Sequence, residues 1–172
     1  MTRRILLGAA TILVAVLVQS AVLSRLPLPG GAPDLLLVLV VAFALHGGPL
    51  SGTVTGFVAG LVADLGVDHE LGRTAVVYTL VGYAVGLLYD GPVRGGRERP
   101  TLLAFVVVAA AAAAGVTIFA AEGVLLGDPR ITGSAYARSM TSTVPYSVLL
   151  TPFVVPVIGL LLRRLDLHLL RR

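Results

Sequence analysis

Charge-free apolar runs separated by short polar segments dominate the hydropathy pattern of this chain of 172 residues. Such runs are typical of helices that cross a membrane, since a perpendicular span needs ~20 residues. One run is interrupted by HGGP at 46–49, and a proline preceded by two glycines breaks a helix, which divides this run in two. The pattern predicts six helices, at about 5–24, 33–47, 50–66, 74–90, 101–123 and 142–163.

The helices predicted at 33–47 and 50–66 are short for a bilayer. They are compatible with two thin full spans or with a re-entrant hairpin packed inside the bundle. Both arrangements return the chain to the same side. The first run has a basic start like that of a signal peptide, but it exceeds the 7–15 apolar residues of a signal core, so we interpret it as a retained helix.

Composition supports a membrane protein. Hydrophobic residues make up 56% of the chain and charged residues 13%, and the mean hydropathy is +0.95. Soluble domains carry about 25% charged residues. We therefore predict a single all-α integral membrane domain, a bundle of about six transmembrane helices. The chain has no cysteine, which excludes disulfides and thiolate metal sites.

All thirteen basic residues are arginines at or near the ends of apolar segments. There they contact lipid headgroups, so we predict membrane lipids as partners and no nucleic acid. With the N-terminus inside, nine arginines lie on the inner side and four on the outer side, which predicts that both termini are cytoplasmic. The outer four are Arg25, Arg73, Arg130 and Arg138.

Glycines recur every four residues on two successive helices. Gly52, Gly56 and Gly60 line one face of the third predicted helix, and Tyr78, Gly82 and Gly86 line the fourth. In lipid, small residues let helix backbones approach closely. These six residues are our candidates for helix packing or partner binding. Three interpretations remain open, namely packing within the molecule, binding of another protein's helix, or a path for a substrate.

Three acidic residues lie at the outer ends of predicted helices, namely Asp34, Asp64 and Glu122. Ionisable groups at membrane depth usually face the bundle interior, water or a partner. Asp34 also suits a helix N-cap. The alternatives are wet headgroup positions or an outer polar cluster with Arg73 or Arg138 as counter-charge.

Little in the sequence points to chemistry at a bound metal or substrate. Asp68, His69 and Glu70 share a loop whose spacing matches no metal motif, and His46 is expected in a turn. The chain has no nucleophile elbow, HExxH pair or phosphate-binding glycine loop. We therefore predict no catalytic residue, no metal, no cofactor and no enzymatic activity.

Four segments in the first 90 residues resemble the rod shape-determining protein MreD family: LVQSAVL (17–23), PDLLLVLVVAFAL (33–45), HGGPLSGTVTGFVAGLVADL (46–65) and LGRTAVVYTLVGYAVGLL (71–88). The resemblance implies a bundle similar to the substrate-binding subunits of energy-coupling-factor transporters. It also implies a place in the bacterial cytoplasmic membrane with the cell-elongation machinery. The partners implied are MreC and, directly or indirectly, MreB, RodA and a class B penicillin-binding transpeptidase.

Two functions follow from these observations. The first is a non-enzymatic membrane scaffold for lateral peptidoglycan synthesis and cell shape. The alternative is a small-molecule-binding subunit or small transporter with a pocket near the outer surface, lined by Asp34, Asp64, Glu122 and Tyr78.

Overall fold

The computed structural model describes residues 2–26, 28–29, 31–65, 71–88 and 101–169. Within these residues the regular structure is entirely helical, with one turn of 3-10 helix at Leu23–Arg25 and no strand. The α-helices of the described residues are α1 (Thr2–Ala21), α2 (Leu35–Asp64), α3 (Arg73–Leu87), α4 (Thr101–Leu125) and α5 (Gly133–Leu169).

Helix α2 is broken at Gly48, whose φ of 80° and ψ of −171° are not helical. Pro49 follows, and a proline inside a helix removes a hydrogen bond and clashes with the preceding turn. We call the segments on either side α2a (35–47) and α2b (49–64). A methyl group at Gly52 would overlap the side chain of Ala44, although a straight helix would place these residues ~12 Å apart.

The two halves of α2 run antiparallel. A straight helix from Leu35 to Asp64 would separate its ends by ~45 Å. Instead, the Asp34 carboxylate accepts a hydrogen bond from Tyr78 and the Asp64 carboxylate accepts one from the N–H of Thr74. Tyr78 and Thr74 are about one turn apart on α3. Helix α2 is therefore a helical hairpin, and both of its ends lie at the same end of the molecule.

Helix α2a forms the centre of the bundle. Its residues from Leu36 to Leu45 are all buried, and a helix that is apolar on every face is expected to be buried. Helix α5 runs beside it in the same direction, since Ser147 contacts Asp34 at one end and Gly159 contacts His46 at the other. The remaining helices pack around this pair.

Among the described residues, four helices are long and apolar enough to cross a membrane, namely α1, α2, α4 and α5, whereas α3 has 15 residues. For α2 that length sums two antiparallel halves of ~20 and ~24 Å. The outward surface is apolar, with Leu13, Leu102 and Leu149 each more than half exposed. So large an apolar surface suits lipid. The fold is consistent with an integral membrane helical protein.

Helix α5 begins earlier than the sequence predicted, at Gly133 and not near residue 142. The hydroxyl oxygen of Thr132 accepts a hydrogen bond from the N–H of Ala135 at 3.2 Å, which caps the first turn. Residues 134–138, which lie before the predicted helix, form its first turns in the structure.

Candidate functional site

Helices α2b and α3 pack with their backbones in contact, and we call this contact the glycine seam. Gly52 and Gly82 lie face to face within it, both buried. A methyl group on either residue would overlap the carbonyl group of the other, at separations below the 3.0 Å that real Cβ atoms respect. The two backbones are therefore in direct contact, which only glycine at both positions permits.

The rest of the glycine seam repeats this contact on both sides of Gly52. A side chain at Gly56 would overlap the backbone of Tyr78, and one at Gly60 would overlap the backbone of Ala75. Gly86 lies against the backbone of Pro49 at the other end. The pairing thus runs antiparallel along most of α3. In this structure the six candidate packing residues face each other across one contact inside the molecule, and another protein's helix would reach them only if α2b and α3 separated.

Asp64 closes the hairpin between α2b and α3. Its carboxylate accepts hydrogen bonds from the backbone N–H groups of Gly72 (2.8 Å), Thr74 (3.1 Å) and Ala75 (3.3 Å), and the residue is 1% exposed. The first amides of a helix lack partners within the helix and carry a partial positive charge. Asp64, the last residue of α2, therefore caps the first turn of α3.

Asp34 has the same role at the start of α2. Its carboxylate accepts a hydrogen bond from the N–H of Leu37 at 2.9 Å, as an N-cap does. It also accepts one from the hydroxyl of Tyr78, with oxygen–oxygen distances of 2.7 and 2.8 Å. Tyr78 is 7% exposed, so this bond joins the start of α2 to α3 inside the bundle.

Two uncharged side chains hold the same end of α2 against its neighbours. The side-chain amide of Gln19 on α1 donates to the carbonyl of Pro33 at 2.9 Å and accepts from the N–H of Leu35 at 3.0 Å. The hydroxyl of Ser147 on α5 accepts from the N–H of Asp34 at 3.2 Å. Backbone groups at the start of α2 are thus satisfied by side chains from both flanking helices.

Arg73 fastens the start of α3 to the α4–α5 turn. Its guanidinium forms an ion pair with Asp128 at 3.0 Å, donates to the carbonyl of Phe119 at 3.0 Å, and lies 4.0 Å from the centre of the Phe119 ring. Arg73 is 7% exposed. The N–H of Arg130 donates to Asp128 and, together with Arg73, lowers the pKa of the Asp128 carboxyl from its usual value.

The three candidate acids have different surroundings. Asp34 and Asp64 both bond to the first half of α3, whereas Glu122 lies near the end of α4 with its Oε2 atom buried and without a hydrogen bond in the described part of the chain. Of the candidate counter-charges, Arg73 pairs with Asp128, and Arg138 is exposed. The acid and histidine loop at 68–70 lies outside the described residues.

Metal-binding groups are not clustered in the parts of the chain that the structure describes, where no three His, Asp or Glu side chains could share an ion. His46 lies at the tip of the hairpin, with its Nδ1 2.8 Å from the carbonyl oxygen of Ala42. A side chain at Gly159 would overlap its imidazole ring, so the ring is packed against α5.

A cavity of about 320 Å³ lies between the start of α2 and helices α3, α4 and α5. Asp34 and Tyr78 line it, together with apolar side chains such as Leu37, Val77 and Phe119. Asp64 and Glu122, which the sequence analysis placed in the same pocket, are not among the lining residues. Only two of the four expected residues therefore meet at this cavity.

Three polar residues with structural roles were not predicted from the sequence, namely Gln19, Asp128 and Ser147. Gln19 is a lone amide in an apolar run, which is a signal that it has a partner. Asp128 stands in a Gly-Asp-Pro turn, where a local role is the usual expectation. Its bond to Arg73 joins residues 55 positions apart and leaves no mark in the local sequence.

The segments that suggested a family relationship include the parts of the molecule described above, namely the Gln19 helix, the hairpin and the glycine seam. A family model for the rod shape-determining protein MreD matches residues 1–165, almost the whole chain. The chain belongs to the MreD family. This confirms the resemblance and extends it past residue 90 to α4 and α5. MreD membership implies a role in rod shape determination, in a structural family not known for catalysis. No curated protein and no solved structure matches the chain.

Proposed function

We propose that this protein is a non-enzymatic membrane scaffold of the bacterial cell-elongation complex that supports lateral peptidoglycan synthesis. The match of residues 1–165 to MreD carries the proposal. The use of the polar groups is consistent with it. The contacts of three charged residues, namely Asp34, Asp64 and Arg73, stabilise helix ends. Such contacts are expected in a rigid structural protein.

The partners that we propose are MreC and, directly or indirectly, MreB, RodA and a class B penicillin-binding transpeptidase, together with membrane lipids. We place the protein in the cytoplasmic membrane with both termini in the cytoplasm, because nine of thirteen arginines then lie inside.

We further propose that α2a and α2b are thin full spans, which makes six transmembrane helices in a bundle similar to energy-coupling-factor substrate-binding subunits. The depth of the hairpin tip in the membrane, relative to the arginine that follows on α5, supports full spans. His46 contacts Gly159, and Arg163 follows Gly159 by about one turn of α5. The tip is therefore near the depth at which arginines meet headgroups.

Two experiments test the scaffold proposal, namely depletion of the protein in cells and a pull-down of its partners. Depleting the protein in the bacterium that encodes it should round the cells, and the wild-type gene should restore rods. A mild-detergent pull-down should recover MreC and wall synthases without added ligand. Normal rods after depletion, or recovery of an ATPase energy-coupling module in place of wall synthases, would overturn the scaffold in favour of a carrier.

The membrane topology can be tested by labelling introduced cysteines, because the wild-type chain has no cysteine that would react. A membrane-impermeant maleimide added to intact spheroplasts should label Thr132→Cys in the α4–α5 turn. Leu50→Cys, which is 77% exposed at the hairpin tip, should react only after the membrane is permeabilised. Labelling of Leu50→Cys from outside, or protection of both sites, would contradict the proposed orientation.

A further inference from the structure

The cavity between α2, α3, α4 and α5 has the size and lining of a small-molecule site. Its volume of about 320 Å³ is at the lower end of the ~300–1,000 Å³ range of ligand pockets. Apolar side chains form most of its wall, and a few polar groups converge on it, namely Asp34, Thr74, Tyr78, Tyr136, Ser139 and Thr143. A mostly apolar wall with few polar groups is the composition that such sites share.

Asp34 is the charged residue among those that line this cavity, and its bonds are to neutral groups. The carboxylate accepts from the N–H of Leu37 and the hydroxyl of Tyr78, and among the described residues it has no ion pair. The N-cap position places this carboxyl group at the positive end of the helix dipole. An anion in apolar surroundings is costly without a counter-charge.

Arg73, the nearest basic residue along α3, is engaged elsewhere. Its guanidinium is bound to Asp128 and to the carbonyl of Phe119, and it is not among the cavity-lining residues. A positive group on a bound ligand would therefore supply the counter-charge that the Asp34 carboxylate lacks. Tyr78 and Tyr136 also line the cavity, and aromatic side chains attract cations.

We propose that this cavity binds a small organic cation, an ammonium group on an apolar stem. The ammonium lies beside the Asp34 carboxylate, and the stem lies among Leu37, Val77 and Phe119. Anions are repelled by Asp34, and neutral molecules of the same shape lose the ion pair. This binding is separate from the scaffold proposal, and its failure would leave the depletion and pull-down results unchanged.

The test uses the purified full-length protein in detergent with n-hexylammonium as the probe, and n-hexanol and hexanoate as probes of the same length. Thermal unfolding should shift upward and saturate with n-hexylammonium, with smaller or no shifts for the other two. Equal shifts with n-hexanol, or no saturable shift with n-hexylammonium, would overturn the proposal.

Three variants locate the site. Asp34→Asn should weaken n-hexylammonium binding at least ~10-fold, or ~1.4 kcal/mol. Glu122→Gln removes a carboxylate that is not among the cavity-lining residues and retains the Arg73–Asp128 pair, so binding should stay within ~2-fold of wild type. Ser139→Leu should fill the cavity from α5 and abolish binding with the Asp34 bonds retained, so it keeps the test decisive if Asp34→Asn does not fold. Undiminished binding in Ser139→Leu, or equal losses in Asp34→Asn and Glu122→Gln, would contradict the site.

Discussion

Gly52 on α2b and Gly82 on α3 each lie where the other's side chain would be. Glycine in an exposed helix costs roughly 1 kcal/mol relative to alanine. In lipid, where helices gain little from apolar burial against each other, close backbone contact offsets that cost. The regular four-residue step on α2b thus has a physical cause in the helix that lies against it.

We expect Gly56→Ile to disrupt the bundle. The added side chain would meet the backbone of Tyr78, which cannot rotate away as a flexible side chain can. Overpacking costs about 1–3 kcal/mol, and a backbone neighbour puts this variant at the upper end. Thermal unfolding in detergent measures the loss. The control is Gly8→Ile on α1, where no atom of the described residues beyond its own stretch of helix lies within 4 Å of the new Cβ. A Gly56→Ile protein that melts like Gly8→Ile would refute the contact.

Replacements of Asp64 should differ in severity. Asn keeps one oxygen that can accept from Gly72 and Ala75, which share a carboxylate oxygen of Asp64, whereas Leu leaves all three N–H groups without this partner. We expect Asp64→Leu to lower the free energy of unfolding by ~2 kcal/mol or more, and Asp64→Asn by less. Chemical unfolding of both variants gives the comparison. Leu65→Ala, at a neighbouring residue that is 70% exposed, serves as the control. Wild-type stability in both Asp64 variants would show that the cap is unimportant.

Gln19 should contribute more to the stability of the fold than the neighbouring Ser20. Gln19→Ala removes two hydrogen bonds that join α1 to the start of α2, whereas the Ser20 hydroxyl bonds within its own helix at an exposed position. We expect Gln19→Ala to cost ~1–3 kcal/mol and Ser20→Ala almost nothing. Limited proteolysis between α1 and α2, together with melting temperatures, would detect the release of α1. Equal behaviour of the two variants would count against this role.

The Arg73–Asp128 pair predicts an acid-sensitive part of stability. The bonds from Arg130 and Arg73 lower the folded-state pKa of Asp128 below its unfolded value. The stabilisation is therefore present above the unfolded pKa and is lost as the pH falls through the folded one. Wild type should exceed Asp128→Asn in stability at neutral pH, and the gap should close in acid below the usual carboxyl range. Melting curves across pH measure the gap, and one that does not change with pH would contradict the pair.

Local signals in the sequence were sufficient to predict an all-helical chain and the position of the hairpin break, but not the start of α5 at Gly133. HGGP marks the position of the break at Gly48, because Gly-Gly-Pro is incompatible with a continuous helix. The spacing of Gly52, Gly56 and Gly60 places them on one face by helix geometry alone.

The partners of the polar residues were not predictable in this way. Asp64 meets the amides of α3 only because the chain reverses after α2b, and Arg73 meets Asp128 only because α4 returns to the same end of the bundle. The cavity likewise depends on how four elements pack. Such contacts depend on the tertiary arrangement of the helices, which the local pattern of a single sequence does not reveal.

The hairpin also has a consequence for the surrounding lipid. Helices α2b and α3 form one outer edge, with Phe57 and Leu80 at least half exposed, and they measure only ~24 and ~22 Å against ~37 Å for α4. With the full spans proposed above, a hydrocarbon layer ~30 Å thick would compress beside the shorter helices, at a fraction of a kcal/mol per ångström of mismatch. We expect the protein to thin the bilayer locally along this edge and to favour thinner regions of membrane.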